Sequence, residues 1–269
     1  MLLSIDHQTS YRYEHPQRRI VQSFRMTPAE CESQQVMGWS VEVEGACFGA
    51  SFTDGGGDLV QTMTLSGPAS TIDVKITGTV RTFDTAGVLK GHQELNDPGL
   101  YLRETSLTRV DDAIRELAAE TACEGALDTA HAFTNLVAER IVYSPGSTAH
   151  GHTAIDTLQA GQGVCQDQSH LLIALARSAG IPARYVTGYL LTDAEGKYHE
   201  ASHAWTELFV DGLGWVGLDP TNRCCPDERY VRLGSGLDAQ EAAPIRGVSF
   251  GHGTEIMDVA VTVMQMAQQ

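Results

Sequence analysis

"GQGVCQDQSHLLIALARSAGIPARYVTGYL", residues 161–190, sets a cysteine between a glycine-rich break and an apolar run with helical spacing. Gly180 and Pro182 supply a stop signal, because glycine favours the left-handed end of a helix and proline cannot continue one. We therefore predict a helix that begins at or just before Cys165 and ends near Gly180, followed by a strand at "ARYVTGYLL". The apolar residues on one face of that helix are Leu171, Leu172, Leu175 and Ala176.

The place of Cys165 at the start of this helix favours a nucleophile. A thiol attacks a carbonyl carbon only as thiolate, and an ordinary thiol with a pKa of about 8.5 is mostly protonated at neutral pH. A helix N-terminus supplies about half a positive charge and an imidazolium partner a full one, so together they stabilise a thiolate. Gly161 and Gly163 would let the backbone approach closely before the helix. The alternative for Cys165 alone is a small buried hydrophobe.

Two later segments supply the partners that such a thiol needs. "ASHAWTELFV" (201–210) and "GLGWVGLDPTN" (212–222) are predicted as strands joined by a "DGLG" turn, so His203 and Asp219 would lie side by side. The imidazole could then donate one N–H to Asp219 while its other nitrogen faces the thiol. Taken singly, His203 could be a core histidine and Asp219 a turn residue. Trp205 shares the strand face of His203, where it would shield the imidazole from water or fill the core.

The first part of the chain, up to about residue 82, is dominated by a period of two, which predicts antiparallel strands with one buried face. The run from Asp54 to Asp58, with three glycines between them, predicts a hairpin turn rather than a calcium loop. The end of the chain returns to period two, which predicts a final sheet. Its alternating apolar residues are Met257, Val259, Val261 and Val263.

The period changes after about residue 106, where two helical stripes precede the cysteine segment. We place a hinge in "KGHQELNDPGL", residues 90–100. The division is then a β-rich N-terminal domain at 1–100 and a catalytic core with C-terminal strands at 101–269. The stripes consist of Val110, Ile114, Leu117 and Ala118, then Ala130, Phe133, Val137 and Ile141.

At this point the sequence resembles the transglutaminase-like cysteine enzymes, in their bacterial two-domain type. The resemblance rests on "GVCQD…L…ALARSAGIPARYVTGY", "ASHAWTELFVDGLGWVGLDPTN", the opening "SYRYEHPQRRIVQSFRMTP" and "APIRGVSFGHG" near the end. It implies an α+β fold with a papain-like, transglutaminase-like core, in which the nucleophile helix packs on an antiparallel sheet beside an N-terminal antiparallel β domain. It also implies a catalytic triad of Cys165, His203 and Asp219.

One position departs from the resemblance, because members of this group usually carry an aromatic residue where Gln168 stands. We expect an altered pocket wall there rather than lost chemistry. The backbone N–H of Cys165 is the natural first donor to an oxyanion, and Gln159 is a weak candidate for the second. Asp167, near the helix start, is expected to interact favourably with the helix dipole.

The composition limits the classes of binding partner and the cellular compartment that we expect for this protein. A net charge of −16 disfavours nucleic acid and membrane, because it repels phosphate backbones and anionic lipids. The start of the chain lacks the features of a secretory signal, and no stretch approaches the roughly 20 apolar residues of a membrane span, so we expect a cytoplasmic protein. The six scattered cysteines are expected as free thiols. No cofactor or metal is expected, since His150, His152, Cys224 and Cys225 lack zinc-site spacing.

These observations predict a cysteine-dependent acyl-transfer enzyme that acts on amide or peptide bonds through a thioester. We favour hydrolysis by a peptidase or amidase, because water is always available as acceptor. The alternatives are a protein-glutamine transglutaminase with an amine acceptor and a catalytically silent transglutaminase-like binding protein. The substrate would be a peptide or protein of unknown identity, and the sequence does not fix the oligomeric state.

Overall fold

The computed structural model describes residues 1–146, 151–192 and 202–267. Its helices are α1 (Asp112–Thr121), α2 (Ala126–Arg140), α3 (Ala154–Ala160) and α4 (Cys165–Ser178), with a short 3-10 helix at Pro98–Leu102. Its strands are β1 (Leu2–Phe24), β2 (Gln34–Val43), β3 (Cys47–Thr53), β4 (Leu59–Thr82), β5 (Val142–Tyr143), β6 (Gln162–Gly163), β7 (Ala183–Leu190), β8 (Ser202–Val210), β9 (Gly214–Leu218), β10 (Tyr230–Gly236), β11 (Ile245–Phe250) and β12 (Glu255–Gln265).

The N-terminal sheet has six strands, in which β1 and β4 pair antiparallel along most of their length. The alternation of the sequence decides which face is buried, because successive side chains of a strand point to opposite faces. Leu3 and Ile5 of β1 are buried together with Val74 and Ile76 of β4. β2 and β3 both pair with β4, so one long strand organises this half of the sheet.

The turn at residues 54–58 is the predicted hairpin, and it joins β3 to β4. The Oδ1 atom of Asp54 accepts the backbone N–H groups of Gly56 and Asp58, at 3.0 and 3.1 Å. Asp58 is fully buried, and its carboxylate accepts from the Arg232 guanidinium at 2.8 Å. Protein donors therefore satisfy the two carboxylates that a calcium loop would have used.

The C-terminal strands belong to the six-stranded sheet. β12 contains the predicted alternating segment, and β11 precedes it. Both strands pair antiparallel with β1, with Val248 opposite Val21 and Val261 opposite His7. The last two strands of the predicted 101–269 unit therefore pair with a strand of the predicted 1–100 unit. Alternation determines that a segment is a strand and which face it buries, but not which neighbour it pairs with. The boundary near residue 100 stays a prediction.

The core has a four-stranded antiparallel sheet in the order β10-β7-β8-β9, with α4 packed on one face. α4 begins at Cys165 and ends at Ser178, and Gly180 takes the left-handed conformation with a φ of 75°, as the sequence predicts. The apolar stripe of α4 is buried with residues of α1, α2 and the sheet. The α+β class with a buried helix on an antiparallel sheet is thus confirmed.

A chain of buried ion pairs joins the two sheets. Glu207 on β8 accepts from Arg184 at 2.7 Å and from Arg232 at 3.0 Å, and Arg232 reaches Asp58 in the N-terminal hairpin. Burial alone would raise the pKa of Glu207, but the two guanidinium groups lower that pKa to about 2. Glu207 lies four residues beyond His203, so this network fixes the strand that carries the histidine.

Candidate active site

Cys165 is the first residue of α4, with Val164 as the N-cap. The Oδ2 atom of Asp167 accepts the Val164 N–H at 2.8 Å, so this carboxylate caps the helix near its positive end. Any side chain at position 163 would collide with Asp167, because a Cβ atom added to Gly163 would lie 2.7 Å from the Asp167 Cβ. The cysteine is therefore held at the positive end of a helix by a tight turn, and it is partly exposed.

His203 stands at the start of β8 and lies opposite Gly188 of β7. Its Nε2 atom is 2.7 Å from the Oδ2 atom of Asp219, and Cys165 lies close enough to the ring to raise the pKa of His203. Because Nε2 serves the carboxylate, Nδ1 is the ring nitrogen left for the thiol. The structure thus brings together the three residues that the sequence singled out.

Burial by itself would lower the pKa of His203, since a buried imidazolium loses its hydration. The hydrogen bond to Asp219, the charge of that carboxylate and the interaction with Cys165 outweigh burial and raise this pKa to about 10. The imidazole is therefore held in its protonated form at neutral pH. A protonated ring between a sulfur and a carboxylate is the arrangement of a thiolate-imidazolium pair.

Asp219 follows β9 and is fully buried. Its Oδ1 atom accepts the backbone N–H groups of Thr221 and Asn222, at 2.9 and 3.2 Å. Its Oδ2 atom accepts from His203, from the Asn222 amide and from the Tyr230 hydroxyl, each at 2.7 Å. Burial would raise the pKa of Asp219, but the hydrogen bonds and the His203 charge lower it. Five donors therefore hold an ionised carboxylate in one orientation.

Asn222 and Tyr230 are site residues that the sequence analysis missed. Asn222 had a local signal, because it follows "DPT" closely enough to turn back on the carboxylate of Asp219. Tyr230 had none, since it starts β10, a strand that pairs with β7 and not with β9. Its hydroxyl also lies 3.4 Å from the Cys224 sulfur.

Trp205 fills both roles that the sequence left open. Its ring stacks on the His203 ring, with centroids 6.4 Å apart and planes 25° apart. It also meets Tyr230 edge to face at 5.5 Å and belongs to a small buried cluster with Val186 and Leu190. The imidazole is therefore backed by an aromatic wall.

Gln168 does not form a pocket wall, so this expectation is wrong. The side chain is only 2% exposed, and its amide is hydrogen-bonded at both ends, to Ile141 and to Thr221. It lies one turn into α4 and points into the protein. A polar side chain is tolerated at a buried position when its donors and acceptors find partners, as they do here.

The proposed oxyanion donors differ in their positions. The Cys165 N–H lies in the first turn of α4, where backbone N–H groups have no acceptor within the helix. Gln159 is exposed on α3. The second donor stays a prediction.

Two of the residues that we weighed as zinc ligands, His152 and Cys224, have other partners. Nδ1 of His152 lies 3.3 Å from Asp167 and 3.3 Å from Thr157, and Cys224 contacts Tyr230. His150 lies outside the described residues. Across residues 1–146, 151–192 and 202–267, no three His, Cys, Asp or Glu side chains form a group that could hold a metal ion.

Fold and site together define an α+β protein with a Cys-His-Asp constellation at a helix start, and comparison with known proteins agrees with this class. The sequence profile of the transglutaminase-like superfamily matches residues 115–220, and that of the bacterial transglutaminase-like N-terminal region matches residues 3–81. The chain belongs to the transglutaminase-like superfamily, in the type that carries this bacterial N-terminal region.

Three relatives illustrate the range of this similarity. A Mycobacterium leprae protein without an assigned function is 29% identical over 98% of this chain and 99% of its own. A protein-glutamine gamma-glutamyltransferase of Pseudomonas aeruginosa is 31% identical, over 37% of this chain and 16% of its own. A crystal structure of a candidate cysteine protease from Cytophaga hutchinsonii covers 100% of this chain and 92% of its own, with a TM-score of 0.76 and 25% identity.

In the three described ranges, no helix combines the length and the apolar character that crossing a bilayer requires.

Proposed function

We propose that this protein is a cysteine-dependent acyl-transfer enzyme that hydrolyses amide bonds in a peptide or protein substrate. Cys165 is the nucleophile, His203 the acid and base, and Asp219 the group that orients the imidazole. One observation carries the proposal: His203 is hydrogen-bonded to the buried carboxylate of Asp219 at 2.7 Å, and Cys165, at the start of α4, interacts with the same imidazole. The similarity to a candidate cysteine protease over the whole chain supports it.

The chemistry follows from the positions of these groups. The thiolate attacks the amide carbonyl carbon, a C–S bond forms, and the carbonyl electron pair moves to oxygen. The tetrahedral intermediate collapses as the C–N bond breaks, and protonated His203 gives its proton to the leaving amine. Water then attacks the thioester while neutral His203 takes its proton, which releases the acid and restores the thiolate.

The acceptor distinguishes hydrolysis from transfer. We favour water because it needs no binding site, whereas an amine must be held next to the thioester. The local similarity to a protein-glutamine gamma-glutamyltransferase supports the alternative, in which a primary amine takes the acyl group. A panel of peptide amides and esters, incubated with and without a primary amine, separates the two by the mass of the product.

Thiol reactivity tests whether the site is active or silent. We expect iodoacetamide to alkylate Cys165 rapidly below pH 7 and faster than it alkylates the exposed Cys47 and Cys123. Cys165→Ala should abolish turnover of the amide panel and leave the fold intact, and Cys123→Ala should change neither. Alkylation of Cys165 only at alkaline pH, or undiminished turnover in Cys165→Ala, would refute the enzyme and favour a binding protein that retains the fold.

We also propose a cytoplasmic location. The six cysteines are all free in the structure, which suits a reducing compartment. Fractionation of the source cells with an antibody to this chain tests the proposal, and recovery outside the cytoplasm would overturn it.

A further inference from the structure

The amide of Gln168 joins three segments that meet at the candidate active site. Its Nε2 atom donates to the carbonyl oxygen of Ile141 at 2.9 Å. Its Oε1 atom accepts from the Thr221 hydroxyl at 2.6 Å. The side chain is almost fully buried, so both bonds are protected from competition by water.

The first bond fixes the chain that leads into the nucleophile. Ile141 ends α2 and is followed by β5, which pairs in parallel with β6. The N–H of Val142 donates to Gly161, and that of Ser144 donates to Gly163, each at 2.9 Å. β6 ends two residues before Cys165. The bond from Gln168 to Ile141 therefore helps to hold the backbone segment that leads into Cys165.

The second bond connects Gln168 to Asp219 through Thr221. Thr221 donates its hydroxyl to Gln168 and its backbone N–H to the Oδ1 atom of Asp219, at 2.9 Å. With Oδ1 held in this way, Oδ2 is directed at His203. Gln168 and Cys165 lie one turn apart on the same rigid helix, so the position of the helix determines the position of the carboxylate.

We propose that Gln168 is a positioning residue that sets the Asp219 carboxylate at a fixed distance from the Cys165 sulfur, acting through the Thr221 hydroxyl. The inference rests on the proposed function, because it concerns how the thiolate-imidazolium pair is aligned. A phenylalanine or tryptophan side chain at this position could fill the space but could not accept the Thr221 hydroxyl. The hydrogen bond between Thr221 and Gln168 would therefore hold the loop that carries Asp219.

The test measures alkylation of Cys165 by iodoacetamide between about pH 5 and pH 9, which needs no substrate. We expect Gln168→Met and Thr221→Val each to lower the Cys165 rate at pH 6 by about tenfold, because small displacements of reacting groups cost one to two orders of magnitude. The double variant should be no slower than the slower single variant, since both changes break the same link. Thr221→Ser keeps the hydroxyl and should stay within about twofold of the unaltered protein.

Gln17→Met is the matched control, because Gln17 is also a buried glutamine whose amide donates to backbone carbonyls, at His15 and His252, but in the N-terminal sheet. It should leave the Cys165 rate unchanged. If Gln168→Met does not fold, Thr221→Val and Thr221→Ser carry the test.

A rate for folded Gln168→Met or Thr221→Val equal to that of the unaltered protein would overturn the inference, as would equal losses in Thr221→Val and Thr221→Ser. If the unaltered Cys165 reacts at pH 6 no faster than the exposed Cys123, the proposed function fails and this inference fails with it. If Cys165 is alkylated rapidly at pH 6 in the unaltered protein and equally rapidly in the variants, the positioning role alone is overturned.

Discussion

Replacing Asp219 by asparagine should change how the free energy of unfolding of this protein depends on pH. Five donors converge on the carboxylate, two on Oδ1 and three on Oδ2. An asparagine has one acceptor oxygen and one donor NH₂, so either orientation of the amide sets NH₂ against donors that it cannot satisfy. The variant also removes the negative charge that keeps His203 protonated.

The expected change in the free energy of unfolding follows from the pKa of His203, a residue that is only 8% exposed. Burial lowers its pKa, but Asp219 and Cys165 raise it from 6.5 to about 10. At about 1.36 kcal/mol for each pH unit, this difference corresponds to about 5 kcal/mol in favour of the folded state. Because the folded pKa is the higher one, the contribution is fully present below pH 6.5 and is lost as the pH rises through about 10. Asp219 and Cys165 share it, so Asp219→Asn should remove about half.

The assay is urea unfolding followed by tryptophan fluorescence, from about pH 6 to about pH 10. We expect Asp219→Asn to lower the free energy of unfolding by about 2–3 kcal/mol near pH 6.5 and to flatten its decline at higher pH. The control is Asp227→Asn, which makes the same chemical change at a carboxylate that is 32% exposed and pairs with Arg229. Parallel pH curves for Asp219→Asn and the unaltered protein would refute the reasoning, because the carboxylate would then not govern the histidine.

Two further changes test the structure around the site. Glu207→Gln leaves Arg184 and Arg232 buried without their shared carboxylate, and we expect a loss of about 3–5 kcal/mol in urea unfolding at pH 7. Since the Arg232 and Arg184 charges outweigh burial and hold the pKa of Glu207 at about 2, this loss should shrink as the pH falls from about 4.5 towards 2; a constant loss would contradict the ion-pair explanation. Gly188→Ala places a methyl group against the carbonyl oxygen of Val231, so thermal unfolding should reveal a loss of about 2 kcal/mol, and an unchanged midpoint would contradict this contact.

Gln168 illustrates why the sequence could not predict every contact in the candidate site. The sequence identified position 168 as unusual but predicted a pocket wall, because helical spacing gives a residue's place on the helix and not what lies opposite. The partner is Thr221, 53 residues later, and its bond depends on how the Asp219 loop packs on α4. Asn222 and Tyr230 reach Asp219 through the same kind of tertiary contact.

The sequence by itself determined the long N-terminal strands, β7, β8, β9 and β12, the helix that begins at Cys165 and the three triad candidates, because alternation, helical stripes and glycine breaks are local properties of the chain. It predicted the hairpin of β8 and β9 for the same reason, since a short turn leaves little choice of partner. The tertiary structure alone decided that β11 and β12 return to β1, and that Asp58 reaches Arg232 across the two sheets. These pairings join residues more than 170 positions apart, and an unpaired strand edge or a buried charge accepts any suitable partner that folding brings to it.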